Sequence, residues 1–284
     1  MNTELTHFSL FSGIGGIDLA AEWAGFESVG QCEFAEYPTK ILEKHWPEVA
    51  RWKDIKDVTA KSIRDRIGDR EITLLSGGFP CQPHSLAGLR LGSADERDLW
   101  DEFARVICEI KPRWVLGENV VGLLSSESGR YFGRILRDLA AMGYHAGWCV
   151  YPAAQVGTVH RRERVFIIAY AGSEFGQGIF NWCSDVVERG HKGAQKRSKD
   201  WFKLKMASGN IELLYDRHTE SIKPLLTRED DGFSSAMDRN RCLGNAVVPH
   251  QVFPILHGIA QIEAANDNAA NDNVPDIPNQ EATG

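Results

Sequence analysis

Between residues 1 and 170, short β-rich runs alternate with segments whose apolar positions recur at helical spacing. The β-rich runs fall at His7–Phe11, Ser28–Cys32, Glu71–Ser76, Arg113–Leu116, Gly147–Tyr151 and Arg164–Tyr170. A helical run over Ile17–Ala24 follows the first of them. Leu99, Phe103, Val106, Ile107 and Ile110 form one apolar stripe, which ends before Pro112. Phe132, Ile135, Leu136, Leu139 and Met142 form a second, which Gly143 stops. This alternation predicts an α/β fold: an open sheet with helices on both faces and ligands at the carboxyl ends of its strands.

After Tyr170 the pattern breaks. Residues 171–235 are rich in Gly, Ser, Lys and Arg with isolated aromatics, which predicts a small lobe rather than more sheet. Helical character resumes over Asn245–Ile262. The sequence AANDN then occurs twice in tandem, at Ala264–Asn268 and Ala269–Asn273. A polar repeat of this kind buries little apolar surface, so 263–284 is expected to be a disordered tail.

Composition narrows the class. With 43% hydrophobic and 25% charged residues, the chain can bury a full core, which excludes a disordered or fibrous protein. No apolar run reaches the roughly 18 residues of a membrane span. Residues 1–6 lack the features of a signal peptide, so a cytoplasmic location and no membrane partner are expected. Six scattered cysteines without a C-x-x-C pair argue against a disulfide framework or a structural zinc site, and no metal is expected. The net charge of −7 sits largely in the tail, where Glu263, Asp267, Asp272, Asp276 and Glu281 face no Lys or Arg. Arg189, Lys192, Lys196, Arg197, Lys199, Lys203 and Lys205, by contrast, flank a single acid, Asp200. Global charge therefore does not exclude a nucleic-acid partner.

Four segments carry candidate chemistry. Phe11-Ser12-Gly13-Ile14-Gly15-Gly16 lies between a strand and a helix, where glycines let backbone turn tightly against a nucleotide-like ligand. Asp18 stands where the dinucleotide pattern needs its third glycine, while Glu33 lies where an acid can hold ribose hydroxyls. An ordinary Gly-rich turn is the alternative. In Gly77-Gly78-Phe79-Pro80-Cys81-Gln82-Pro83-His84-Ser85, a cysteine set between prolines follows a strand. That is a place for a nucleophile, against the alternative of a buried structural thiol. Gly117-Glu118-Asn119-Val120 puts a carboxyl group past another strand, either to bind a substrate ring or to form a cap or salt bridge. Arg162 and Arg164, in His160-Arg161-Arg162-Glu163-Arg164, share one face of a strand entrance.

In this order and spacing the four segments, with a final Gly244-Asn245-Ala246-Val247-Val248-Pro249, resemble the C5-cytosine DNA methyltransferase family. The resemblance implies a class I S-adenosylmethionine-dependent methyltransferase (Rossmann-like) sheet with a small DNA target-recognition lobe. It implies a catalytic and cofactor-binding domain at 1–170, a target-recognition region at 171–235 and a segment returning to the catalytic domain at 236–262. S-adenosyl-L-methionine would be held by Phe11, Gly13, Gly15, Gly16, Glu33, Phe34, Asp54, Asn245 and Ala246. Cys81 would be the covalent nucleophile, Glu118 the acid near the base, and Arg162 and Arg164 would hold the flipped nucleotide. Gln82, Ser85 and the seven basic residues of 189–205 would contact double-stranded DNA, and 85–98 would form a mobile active-site loop. The implied protein is a monomer acting beside a possible separate restriction endonuclease. Ser9 stands where the family usually has Asp, and Ala246 where Ser is frequent. The competing readings are an RNA cytosine methyltransferase, a DNA-binding module without catalysis, and a nicotinamide oxidoreductase, the last weakened by Asp18.

Overall fold

The computed structural model describes residues 4–80, 99–156, 162–171 and 246–272. Its centre is a seven-stranded sheet: β1 (Thr6–Leu10), β2 (Glu27–Cys32), β3 (Ala50–Trp52), β4 (Leu74–Gly77), β5 (Trp114–Val120), β6 (His145–Pro152) and β7 (Glu163–Tyr170). The spatial order is β3-β2-β1-β4-β5-β7-β6, and β7 alone runs against its neighbours. The strands at the middle are buried from end to end, as β1 and β4 show, because helices cover both faces. This is the open α/β sheet expected from the strand–helix alternation, in the class I methyltransferase arrangement that the resemblance implies.

The helices are α1 (Gly16–Trp23), α2 (Glu36–His45), α3 (Ala60–Ile67), α4 (Trp100–Ile110), α5 (Arg130–Ala141) and α6 (Pro249–Asp272). On one face Ile63 of α3, Phe103, Val106 and Ile107 of α4, and Ile135 and Leu139 of α5 pack on Phe8, Leu75, Val115 and Ile167. On the other, Ile17, Ala20 and Ala21 of α1 and Val252, Leu256 and Ile259 of α6 pack on Leu74, Trp114, Leu116 and Phe166. The periodicity read at 99–110 is the buried side of α4, and Lys111 closes that helix in a left-handed conformation ahead of Pro112.

One expectation is corrected. Residues 263–284 were read as disordered, yet α6 continues to Asp272. The cause is a long-range anchor absent from the repeat itself. Glu263 is buried; it pairs with Arg113 and accepts from Trp114 Nε1 at 2.9 Å, which ties the helix to the start of β5. The alanines beyond it are strong helix formers, so the anchored helix propagates. No helix among the described residues is long and apolar enough to cross a membrane.

Candidate active site

The sheet order reverses between β1 and β4, and the turns after these two strands open the crevice where α/β proteins bind ligands. On the β1 side, Ser12 N–H donates to Cys32 O at 3.0 Å and Gly15 N–H to Ser12 O at 2.9 Å. Side chains are excluded at two points of this turn. A Cβ on Gly15 would lie 2.4 Å from the Trp46 ring, and one on Gly16 would lie 2.3 Å from Val247 O. The second contact seats the 246–248 segment against the glycine turn. Glu33, just past β2, accepts from Gly13 N–H and Ala35 N–H, each at 2.8 Å. Beside it the Phe34 ring is 70% exposed, an apolar face open to a flat ligand. Asp54 follows β3 and caps a short turn by accepting from Lys56 N–H at 2.9 Å.

On the β4 side the chain runs through Gly77, Gly78 and Phe79. The Phe79 ring packs on Trp100 and Phe103, and its carbonyl accepts from Asn119 Nδ2 at 3.2 Å. The turn that leads to Cys81 is therefore tied to the end of β5. Cys81, Gln82, Ser85 and the loop 85–98 lie outside the described residues, as do Asn245 and the basic residues Arg189, Lys192, Lys196, Arg197, Lys199, Lys203 and Lys205. Cys32, which is described, is a thiol of the opposite kind: buried, and pushed up to about 12 by desolvation and by the acids Glu33, Asp54 and Asp57.

Glu118 occupies the end of β5, and a Cβ on Gly78 would lie 3.3 Å from its Oε2. Because β7 is reversed, its first residues lie beside that end. The register pairs Val120 with Arg164 and Glu118 with Phe166, so Glu118 and Arg164 are diagonal neighbours on one face. Arg164 Nε stands 2.9 Å from Glu118 Oε1, an ion pair in which the N–H is not aimed at the oxygen. Burial raises the Glu118 pKa above the ordinary carboxylate range, opposed by the charges of Arg164 and Arg162. Arg162 has a positive φ of 25° and donates from Nη2 to Ala246 O at 2.5 Å. Ala246 is thereby joined to the arginine side of the crevice and, through Val247, to the glycine turn.

Two side chains that sequence reading did not single out complete this frame. Gln251 of α6 is fully buried and donates from Nε2 to Arg162 O at 3.1 Å and to Tyr151 O, which holds the β7 entrance. Asn119 had been quoted only as part of its motif. Its link to Phe79 O spans 40 residues, so local pattern carries no trace of it.

The arrangement supplies a glycine turn with a neighbouring acid, then a buried carboxyl flanked by two guanidinium groups, on one edge of the sheet. The sequence profile of the C-5 cytosine-specific DNA methylase family matches residues 5–241. Among curated proteins, the type II methyltransferase M.Sau96I of Staphylococcus aureus is 32% identical over 171 residues, covering 59% of this chain and 39% of that protein. M.PspPI of Psychrobacter sp. (strain TA137) is 40% identical over 161 residues, covering 56% and 38%. The chain thus spans about two fifths of the length of these relatives. Among solved structures, an Escherichia coli chain described as a prophage-encoded DNA modification methyltransferase superposes with a TM-score of 0.51. It is 25% identical and covers 59% of this chain and 47% of its own length. With the family profile matching well over half of its residues, the chain belongs to the C-5 cytosine-specific DNA methylase family.

Proposed function

We propose that this protein transfers a methyl group from S-adenosyl-L-methionine to C5 of a cytosine flipped out of double-stranded DNA. The observation that carries the reading is the buried Glu118–Arg164 pair, with Arg162, beside the Gly78–Pro80 turn that leads to Cys81. Cytosine C5 is a weak nucleophile. Addition of the Cys81 thiolate to C6 breaks the C5–C6 double bond and pushes its electrons toward C5, N3 and the exocyclic amine. Glu118, whose pKa burial raises against the charges of Arg164 and Arg162, would hydrogen-bond N3 and offset that charge. Arg162 and Arg164 hold the nucleotide and stabilise the developing charge. Loss of the C5 proton to a base and cleavage of the C6–S bond then restore the ring and free Cys81.

The cofactor supplies the methyl group when bound. The residues present fit it: the Gly13–Gly16 turn admits close approach, Glu33 stands at the end of β2 for the ribose, and Phe34 offers an exposed ring for adenine. Asp54 would reach the adenine amino group, and Asn245 with Ala246 would close the methionine end. The target atom is inaccessible inside a duplex, so the base must be extruded, at a cost of a few kcal/mol. Residues 171–235, with Arg189 through Lys205, would read the DNA and neutralise phosphates, with 236–262 returning to the sheet. The protein would act as a monomer in a restriction-modification setting, beside a separate endonuclease.

The test is incubation of the purified chain with methyl-labelled S-adenosylmethionine and mixed-sequence duplex DNA, with transfer RNA as competitor. Label in 5-methylcytosine of DNA is expected. Absence of that product, from a folded chain that binds S-adenosylhomocysteine, overturns the reading, and label confined to transfer RNA replaces its substrate.

A further inference from the structure

The first turn of α6 meets the end of the β6–β7 pair through a polar side chain, Gln251, which is fully buried. Its Nε2 donates to the carbonyls of Tyr151, on β6, and of Arg162, just ahead of β7, the second at 3.1 Å. A side-chain amide has two N–H donors, and these bonds use both. Turned the other way, the amide would set its oxygen against two carbonyl oxygens, so its orientation is fixed. Oε1 then lies buried with no hydrogen-bond partner among the described residues. An apolar side chain of similar length would avoid that unmet acceptor, so the case for an amide here rests on what its donors hold. Tyr151, Val247 and Val252 belong to one apolar layer. Apolar contact is non-directional, whereas two hydrogen bonds from one planar amide fix where the elements stop.

Arg162 O also accepts from Ala153 N–H at 3.2 Å, which closes the β6–β7 pair on itself. The Gln251 bond carries the same carbonyl across to α6. Arg162 keeps a φ of 25°, a left-handed conformation that costs a non-glycine residue energy and persists where its surroundings enforce it. From there its Nη2 donates to Ala246 O, and its charge acts on Glu118. Gln251 N–H donates to Val248 O at 2.9 Å, so the amide and the 246–248 segment, which lies against Gly16, move as one piece. We propose that Gln251 is a positioning residue for methyl transfer: by clamping the Tyr151 and Arg162 carbonyls to α6, it sets the spacing between the cofactor side of the crevice, at Gly16 and Val247, and the base side, at Arg162 and Glu118. This rests on the methyl-transfer reading above.

The spacing matters because transfer needs the methyl carbon and C5 within about 3–3.5 Å, and a misplacement of about 1 Å can cost roughly 100-fold in rate. The groups proposed to bind each substrate stand on their own strands: the glycine turn and Glu33 on one side, Glu118 and Arg164 on the other. Loss of the clamp leaves these groups in place and alters how the two sets stand to one another. The signature of that loss is a lower rate at saturation with affinities retained.

The test sets single-turnover methyl transfer against binding. The full chain, in excess over the mixed-sequence duplex, is saturated with methyl-labelled S-adenosylmethionine; calorimetry and gel shift give the affinities for S-adenosylhomocysteine and for the duplex. Gln251→Met, close to glutamine in length but without donors, should transfer the methyl group roughly 10- to 100-fold more slowly. Both of its affinities should stay within about threefold of wild type. Gln251→Glu keeps the shape of the side chain and should show the same split, which serves if the methionine variant does not fold. Ile259→Val loosens α6 by packing alone, so it should lower the melting temperature by a few degrees and leave the rate within about twofold. A folded Gln251 variant with the wild-type rate, or with a rate loss that Ile259→Val matches, overturns the inference and leaves the methyl-transfer reading intact. Wild type that transfers no methyl group overturns both.

Discussion

Glu33 and Glu118 are the same residue type at the ends of two parallel strands, yet the fold treats them in opposite ways. Glu33 lies half-buried past β2 and accepts two backbone N–H bonds, which fix its oxygens while leaving it accessible. Those donors orient its carboxylate oxygens toward the turn, which suits the ribose contact proposed above. Glu118 is buried at the end of β5, receives no aligned donor at Oε1 among the described residues, and is raised in pKa despite two nearby guanidinium groups. Desolvation outweighs ion pairing there, which favours a proton on the carboxyl. The lesson is that neighbours, not the side chain, decide whether a strand-end acid binds or protonates.

The contrast can be broken by substitution. Glu118→Gln should lower turnover at least about 100-fold, the usual scale of a lost acid–base group, with S-adenosylhomocysteine affinity unchanged. Equal losses in both would erase the distinction. Glu33→Ala should do the reverse. Cofactor affinity falls roughly tenfold, while turnover at saturating cofactor stays within a few-fold, as fluorescence titration and steady-state kinetics can check. The smallest effect concerns stability. A carboxyl whose pKa is higher folded than unfolded stabilises most below its unfolded pKa, and loses that contribution as pH rises through the folded value. The melting temperature of Glu118→Gln relative to wild type should therefore become more favourable with rising pH, by a few degrees. A difference independent of pH would mean that Glu118 is not desolvated.

The sheet and the helices with wide apolar stripes were legible because burial imprints a period on the sequence. α4 buries Trp100, Phe103, Val106 and Ile107, and that spacing is visible without a structure. α2 and α3 were not read, since they bury only Pro38 and Leu42, and Ile63, respectively. β3, with three residues, is too short to show alternation. At the site, the glycine turn and Glu33 announced themselves by lying past strands, whereas Glu118, expected just past Leu116, lies within β5, which runs on to Val120. Asp18 registered only as a missing glycine. Its partners, Ser9 and Gln31, lie on two strands, and such pairing is decided by register rather than by neighbours in sequence. Glu263 was hidden similarly, in a segment whose composition resembles a tail while its partners Arg113 and Trp114 lie about 150 residues away in sequence.

The central claim is that a sulfur at position 81 bonds to the target base beside Glu118. Duplex DNA carrying 5-fluorocytosine tests it directly, because fluorine at C5 prevents the elimination that would free the enzyme. With S-adenosylmethionine present, denaturing electrophoresis should show a protein–DNA band that Cys81→Ser abolishes and mass spectrometry assigns to Cys81. Formation of 5-methylcytosine on ordinary DNA, with no such adduct on the fluorinated duplex, would contradict it.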